Sequence, residues 1–136
     1  MTDDQKNEER VRLNEVSRLT AEANDHYSAG RFVDAAPLYH QALAIQEEVL
    51  GRDHPDVAGT LCNVANLYYV QERYADAEAS YERALSLLTA LHGSESPELV
   101  DSLVWLAESR FKSQQYDKAK EPFQLAIAIL ETQTNA

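Results

Sequence analysis

The sequence predicts an all-α fold of three stacked helical hairpins, and three observations lead there. The first is internal repetition with a period of 42 residues. Phe32, Tyr74 and Tyr116 stand at that spacing, as do Ala35, Ala77 and Ala119, then Tyr39, Tyr81 and Phe123. Ala42, Ala84 and Ala126 continue the pattern, with Leu43, Leu85 and Ile127, Leu19, Leu61 and Leu103, and Ala23, Ala65 and Ala107. A repeat of this length is one supersecondary unit that buries its apolar face against its neighbours. The second observation is a scarcity of chain breakers: 4 Gly and 4 Pro in 136 residues are too few for many short strands and turns. The third is that the breakers repeat too, since Gly51 and Gly93 share the offset, and so do Pro55 and Pro97.

Each repeat therefore consists of a helix A and a helix B. The A helices are expected near 18–29, 55–70 and 97–112, and the B helices near 32–50, 74–92 and 116–132. Glycine beyond a helix end and proline in the next first turn are helix stop and start signals, with Ser96 as an N-cap and His54 as a helix-start residue. Short polar stretches such as VQER separate A from B, as a tight helical hairpin requires. Small residues at Ala23 and Ala35 allow the paired helices to approach closely, and Tyr39, Tyr81 and Phe123 fill the space between layers. Pro37 and Pro122 fall beyond the first residue of their B helices, so some loss of backbone hydrogen bonding is expected there. The organisation is a single domain over 1–136, with a charged extension at 1–16 and repeats at 17–58, 59–100 and 101–136. The segment carrying Val11, Leu13 and Val16 either extends the first A helix or folds back on it, and residues 1 to about 6 are expected to fray.

Composition narrows the function. Hydrophobic residues make up 44% and charged residues 26%, enough apolar material for an ordered fold. The net charge of −11 is spread along the chain, and such a field repels phosphate backbones and anionic lipid. No nucleic acid or membrane partner is expected; a neutral or basic protein partner is favoured, although the same charge also serves plain solubility. Cys62 is the sole cysteine, so it has no disulfide partner within the chain, and it fits a small buried or half-buried hydrophobe. The polar start MTDDQKNEER is unlike a secretory signal, no apolar run reaches the ~20 residues of a membrane span, and a cytoplasmic location is expected.

The pattern of Ala23, Phe32, Ala35, Tyr39 and Ala42 resembles the tetratricopeptide (TPR) hairpin. The usual repeat is about 34 residues, and the longer repeat seen here resembles those of kinesin light chains. The likeness is strong from Leu38 to Leu85 and extends over nearly the whole chain from Leu19 onward. It implies a right-handed α-α superhelix, a TPR solenoid, acting as a scaffold that holds a peptide or helix in a concave groove lined by A helices. The sequence departs from the family pattern at Glu22, where Val64 and Leu106 supply a large apolar residue, suggesting looser packing of the first hairpin. The hairpin-turn glycine is kept only at Gly30; Glu72 and Gln114 replace it, so those turns are expected to form without a residue that readily takes φ > 0.

Projection onto the family's groove places Asn24, Asn66 and Glu108 in one row, with Tyr27, Tyr69 and Phe111 one turn along and Asn63 and Trp105 beside them. Asparagine amides can hold an extended backbone without reading its sequence, and the aromatics can bury partner side chains. Equally, Tyr27, Tyr69 and Phe111 can simply pack the A helices together. Asn24 and Asn63 match the amides of the family's clamp for carboxylate tails. Its basic positions are held by Thr20, Asp101 and Trp105, so tight binding of an acidic C-terminal tail is not expected. No catalytic residue, cofactor or metal site is expected. Ala23, Pro37, Gly51 and Thr89 stand three before the four histidines where a di-iron bundle needs Glu, and no phosphate-binding glycine loop is present. The last helix carries Phe123, Ile127 and Leu130 on the side that would meet another repeat. That face is expected to bind a second copy, receive a partner helix or continue a longer array, and a self-assembly unit is the alternative to the groove scaffold.

Overall fold

A computed structural model describes residues 1–135, and these form six α-helices: α1 (Asp3–Ser28), α2 (Phe32–Leu50), α3 (Pro55–Val70), α4 (Tyr74–His92), α5 (Val100–Lys112) and α6 (Tyr116–Asn135). A 3-10 turn, Pro97–Leu99, leads into α5. The helices pack as hairpins α1/α2, α3/α4 and α5/α6, joined by α2 against α3 and α4 against α5. Helices α1, α3 and α5 are the A helices of the three repeats.

Helix α1 extends the first A helix to 26 residues and begins at Asp3. A capping box fixes this start: the Thr2 hydroxyl accepts the Gln5 N–H, and Gln5 Oε1 accepts the Thr2 N–H at 2.8 Å. Asp3 and Asp4 add favourable charge to the first turn. Arg12 then ties the extension to Glu48 of α2 at 2.7 Å.

The hairpin turns of repeats two and three form without glycine. Glu72 and Gln114 adopt φ of +62° and +65°, the left-handed conformation that Gly30 takes at +77°. All three are the C′ residue of the same helix cap. In the second turn the Arg73 N–H donates to the Tyr68 carbonyl and the Glu72 N–H to Tyr69; the Gly30/Arg31 and Gln114/Gln115 turns repeat both bonds. Two satisfied carbonyls per turn outweigh the cost of a side chain at positive φ.

Ala23, Ala35, Ala65 and Ala77 are fully buried, which brings the paired helices into close contact. Tyr39 and Tyr81 are buried between them, and their hydroxyls donate to Oδ1 of Asn24 and Asn66 respectively. In the third hairpin the same two columns hold Phe123 and Glu108, a pair that cannot make this bond. Glu22 does not loosen the first hairpin. It lies on an exposed face of α1 and pairs with Arg18, which also grips Glu15. Its counterparts Val64 and Leu106 instead pack in the core beneath α2 and α4.

The prolines leave their helices unbroken. Pro122 lacks the N–H that would have reached the Lys118 carbonyl, and Arg110 Nη1 donates to that oxygen at 3.1 Å instead. Pro37 sits in the exposed second turn of α2, and the carbonyl it leaves over belongs to Val33, itself 80% exposed to water.

Candidate functional site

Helices α1 and α3 enclose a groove of about 590 Å³ lined by Ser17, Thr20, Asn24, Thr60 and Asn63, with Asp56 at one end. Ala21 and Gly59 keep it open because neither carries a side chain beyond Cβ. At its floor lies Gln46 of α2, buried, with Nε2 3.5 Å from the Asp56 carbonyl and Oε1 without a partner among the described residues. The corresponding residues in repeats two and three are Leu88 and Leu130. A desolvated amide here is a cost that only a polar neighbour offsets.

Between α3 and α5 the chemistry is different. Tyr69 meets Trp105 edge to face, ring centroids 5.1 Å apart, and Trp105 remains 41% exposed. Asp101 and Glu108 lie one turn before and one turn after Trp105 on α5, and neither has an ion-pair partner within 4 Å among the described residues. Burial raises the Tyr69 phenol above its ordinary value and the negative charge of Glu108 adds to that effect. The only other charge within one helical turn of Glu108 on that side is Lys112.

The predicted site residues are not gathered in one place. Asn24 and Asn63 line the α1/α3 groove, and Tyr69 meets Trp105 between α3 and α5, with Glu108 one turn further along α5. Asn24 and Asn66 have their carbonyl oxygens occupied by Tyr39 and Tyr81, leaving only their NH₂ groups to donate outward, whereas Asn63 is half-buried with no side-chain bond. Tyr27, Tyr69 and Phe111 each pack edge to face on the first residue of the following B helix, Phe32, Tyr74 and Tyr116, at 5.1–5.4 Å. They staple the hairpin turns; Tyr69 alone also reaches a neighbouring A helix.

On α6, Phe123 is half-buried, and Ile127 and Leu130 are 54% and 50% exposed. They occupy the columns of Tyr81, Leu85 and Leu88, of which Tyr81 packs against Leu106 and Leu85 and Leu88 against the Leu99/Leu103 cluster.

One cleft was missed at the level of sequence. Arg83 of α4 crosses the outer surface to Glu47 at 3.1 Å and to the Arg52 carbonyl at 3.0 Å, closing the gap between α2 and α4. The matching residues one repeat later are Leu125, Thr89 and Ser94, which leave an apolar cleft of about 730 Å³ walled by Leu85, Leu99, Leu103 and Leu106. The loss of the Arg and Glu was legible, but that these columns touch was not.

Cys62 is half-buried with Sγ 3.4 Å from Ser102 Oγ; burial raises its thiol, so the unreactive protonated form holds at neutral pH. Among the described residues no group of three His, Cys, Asp or Glu side chains is gathered to hold a metal ion. Among the described residues no helix is long and apolar enough to cross a membrane.

Stacked hairpins with an open polar groove between α1 and α3 and an aromatic contact between α3 and α5 define a helical-repeat interaction scaffold. A tetratricopeptide repeat model matches residues 56–132, and a second matches 23–56. The chain belongs to the tetratricopeptide repeat family. Its fold is similar to that of BtubC (BKLC) from P. vanneervenii, with a TM-score of 0.81 and 21% identity over 89% of this chain and 48% of that one. It is also similar to the nearly identical TPR-like repeats of a Podosopora anserina chain described as a kinesin light chain, with a TM-score of 0.76 and 22% identity over 86% of this chain and 56% of that one. The Sgt2 TPR domain from Aspergillus fumigatus gives a TM-score of 0.63 and 25% identity over 86% and 67% of the two chains. The chain spans about half the length of the first two structures. No curated protein matches it.

Proposed function

We propose that this scaffold works without catalysis, by holding an extended segment of a neutral or basic partner protein against α1, α3 and α5. The observation that carries the reading is the open α1/α3 groove, where Asn63 lacks an internal side-chain partner beside Thr20, Thr60 and the NH₂ of Asn24. Such a row of small donors and acceptors suits main-chain amides, and the net charge of −11 disfavours an acidic segment. Site-specific photo-crosslinkers test it. A partner should crosslink from position 63 and not from position 44 on the exposed side of α2, and Thr20→Ala with Asn63→Ala should weaken capture. Equal crosslinking from both positions would refute groove binding. Asn66→Ala is a poor probe because it also removes the acceptor of the Tyr81 hydroxyl.

A second reading is self-assembly through α6, favoured by the exposure of Ile127 and Leu130 in columns that pack on the next A helix in repeat two. It requires a mass in solution that rises with concentration and falls back to the monomer in Ile127→Glu. A constant monomer mass excludes it.

A further inference from the structure

We propose that Trp105, Tyr69, Glu108 and Asp101 form a receptor for one arginine or lysine side chain of the bound segment. This rests on the groove reading and specifies the partner's chemistry at one position.

The third repeat departs from the other two in a concerted way. In repeats one and two the groove-row asparagine is tied to the buried tyrosine of the same hairpin, Asn24 to Tyr39 and Asn66 to Tyr81. Repeat three replaces the tyrosine by Phe123, which has no hydroxyl, and the asparagine by Glu108. The structural bond is gone, and in its place stands a carboxylate with no hydrogen-bond or ion-pair partner among the described residues. In the neighbouring column Ala21 and Asn63 give way to Trp105, and in the next Ser17 and Gly59 give way to Asp101. Three substitutions on one face of α5 thus introduce an indole and two acids together.

Their arrangement suits a cation. Trp105 is held by the edge of Tyr69 yet stays 41% exposed, so a guanidinium or ammonium can stack on the indole. Asp101 and Glu108 flank it by one helical turn on either side. Asp101 is exposed and Glu108 half-buried on that same face of α5. The nearest cation of the same helix face, Lys112, lies a turn beyond Glu108, and Arg110 is spent on Glu78 and Glu82 of α4. The α1/α3 groove, lined by amides and hydroxyls with one acid, offers no comparable subsite.

Trp105 is the only tryptophan, so it reports on its own site. Titration with N-acetyl-arginine amide, followed by the indole Nε1–H resonance and by fluorescence, should give a saturable change. N-acetyl-citrulline amide, equal in shape and uncharged, should bind at least about fivefold more weakly, and Glu108→Gln and Asp101→Asn should each weaken arginine about two- to fivefold. Added salt should weaken arginine and leave citrulline unchanged. Equal affinities for the two probes, a response that never saturates, or an unchanged affinity in Glu108→Gln with Asp101→Asn would overturn the proposal. These conservative variants leave the core untouched, so the test does not depend on Trp105→Ala folding. The two levels of the reading fail separately. A partner that crosslinks at position 63 while the arginine probe fails removes the cation receptor alone; a saturating probe with no crosslink at 63 removes the extended-groove reading alone.

Discussion

Arginine 110 and proline 122 should be energetically coupled although their side chains have nothing chemical in common. Arg110 is the centre of the α4/α5/α6 junction: Nε reaches Glu78 at 3.1 Å, Nη2 reaches Glu82 at 2.9 Å, and Nη1 donates to the Lys118 carbonyl that Pro122 leaves unbonded. The Arg110 and Glu78 side chains are only 16% and 18% exposed, so their pairing is worth more than a surface bridge, whereas Glu82 is 50% exposed and adds little. Arg110→Ala removes the partly buried charge-assisted bond, about 1.5–3 kcal/mol, and orphans a carbonyl at about 1 kcal/mol because water reaches it. A total of about 2.5–4 kcal/mol is expected from urea unfolding. In a Pro122→Ala background the new N–H bonds Lys118 within the helix, and the same Arg110→Ala change should cost about 1 kcal/mol less. Pro122 is buried, so its own replacement will carry a packing cost, but the double-mutant cycle cancels that term. A coupling energy below about 0.3 kcal/mol, within the error of additivity, would show that the arginine does not substitute for the missing amide.

Three further outcomes are open to measurement. Glu72→Gly and Gln114→Gly should each stabilise the fold by about 0.5–1 kcal/mol, because relief of a side chain at φ +62° or +65° exceeds the extra freedom of glycine in the unfolded chain; a loss of stability in urea would contradict the assigned caps. Gln46→Leu, which installs the residue type of the next two repeats, should raise stability by about 1 kcal/mol by removing a buried, unpartnered Oε1, and a lowered melting temperature would mean that the amide is satisfied after all. Burial pushes the Glu78 carboxyl up, but hydrogen bonds from Gln115 and Arg110 outweigh it and hold the group below its ordinary 4.5. A depressed carboxyl contributes stability above the ordinary value and loses it as pH falls through the folded value, so Glu78→Gln should destabilise the protein at neutral pH and show a flatter decline below pH 4.5. Parallel declines in both proteins would remove Glu78 from the acid response.

The hairpins were legible in the sequence because period and punctuation act locally. Ala23, Ala35 and their repeats report a close helix contact wherever they occur, and Pro55 and Pro97 mark helix starts by their own geometry. Other features depend on which columns meet. Phe123 and Glu108 each look like ordinary repeat variation until Tyr39 and Tyr81 are seen bonded to Asn24 and Asn66. The same holds for Glu72, whose left-handed φ is set by carbonyls of the preceding helix, and for Arg110, which answers a defect eight residues away at Lys118.

That distinction also explains why the groove rows were only partly informative. A repeat fold assigns each column one structural duty, and Tyr27, Asn24 and Asn66 perform theirs by stapling turns and accepting tyrosine hydroxyls. Binding capacity therefore concentrates where a residue has been released from the duty of its column. Asn63 stands in a column that bears no internal bond, and Glu108 stands in one whose bond has been dismantled by Phe123. By this criterion the binding surface we propose lies toward α3 and α5, with α1 supplying small polar side chains and a charged outer face formed by Glu15, Arg18 and Glu22.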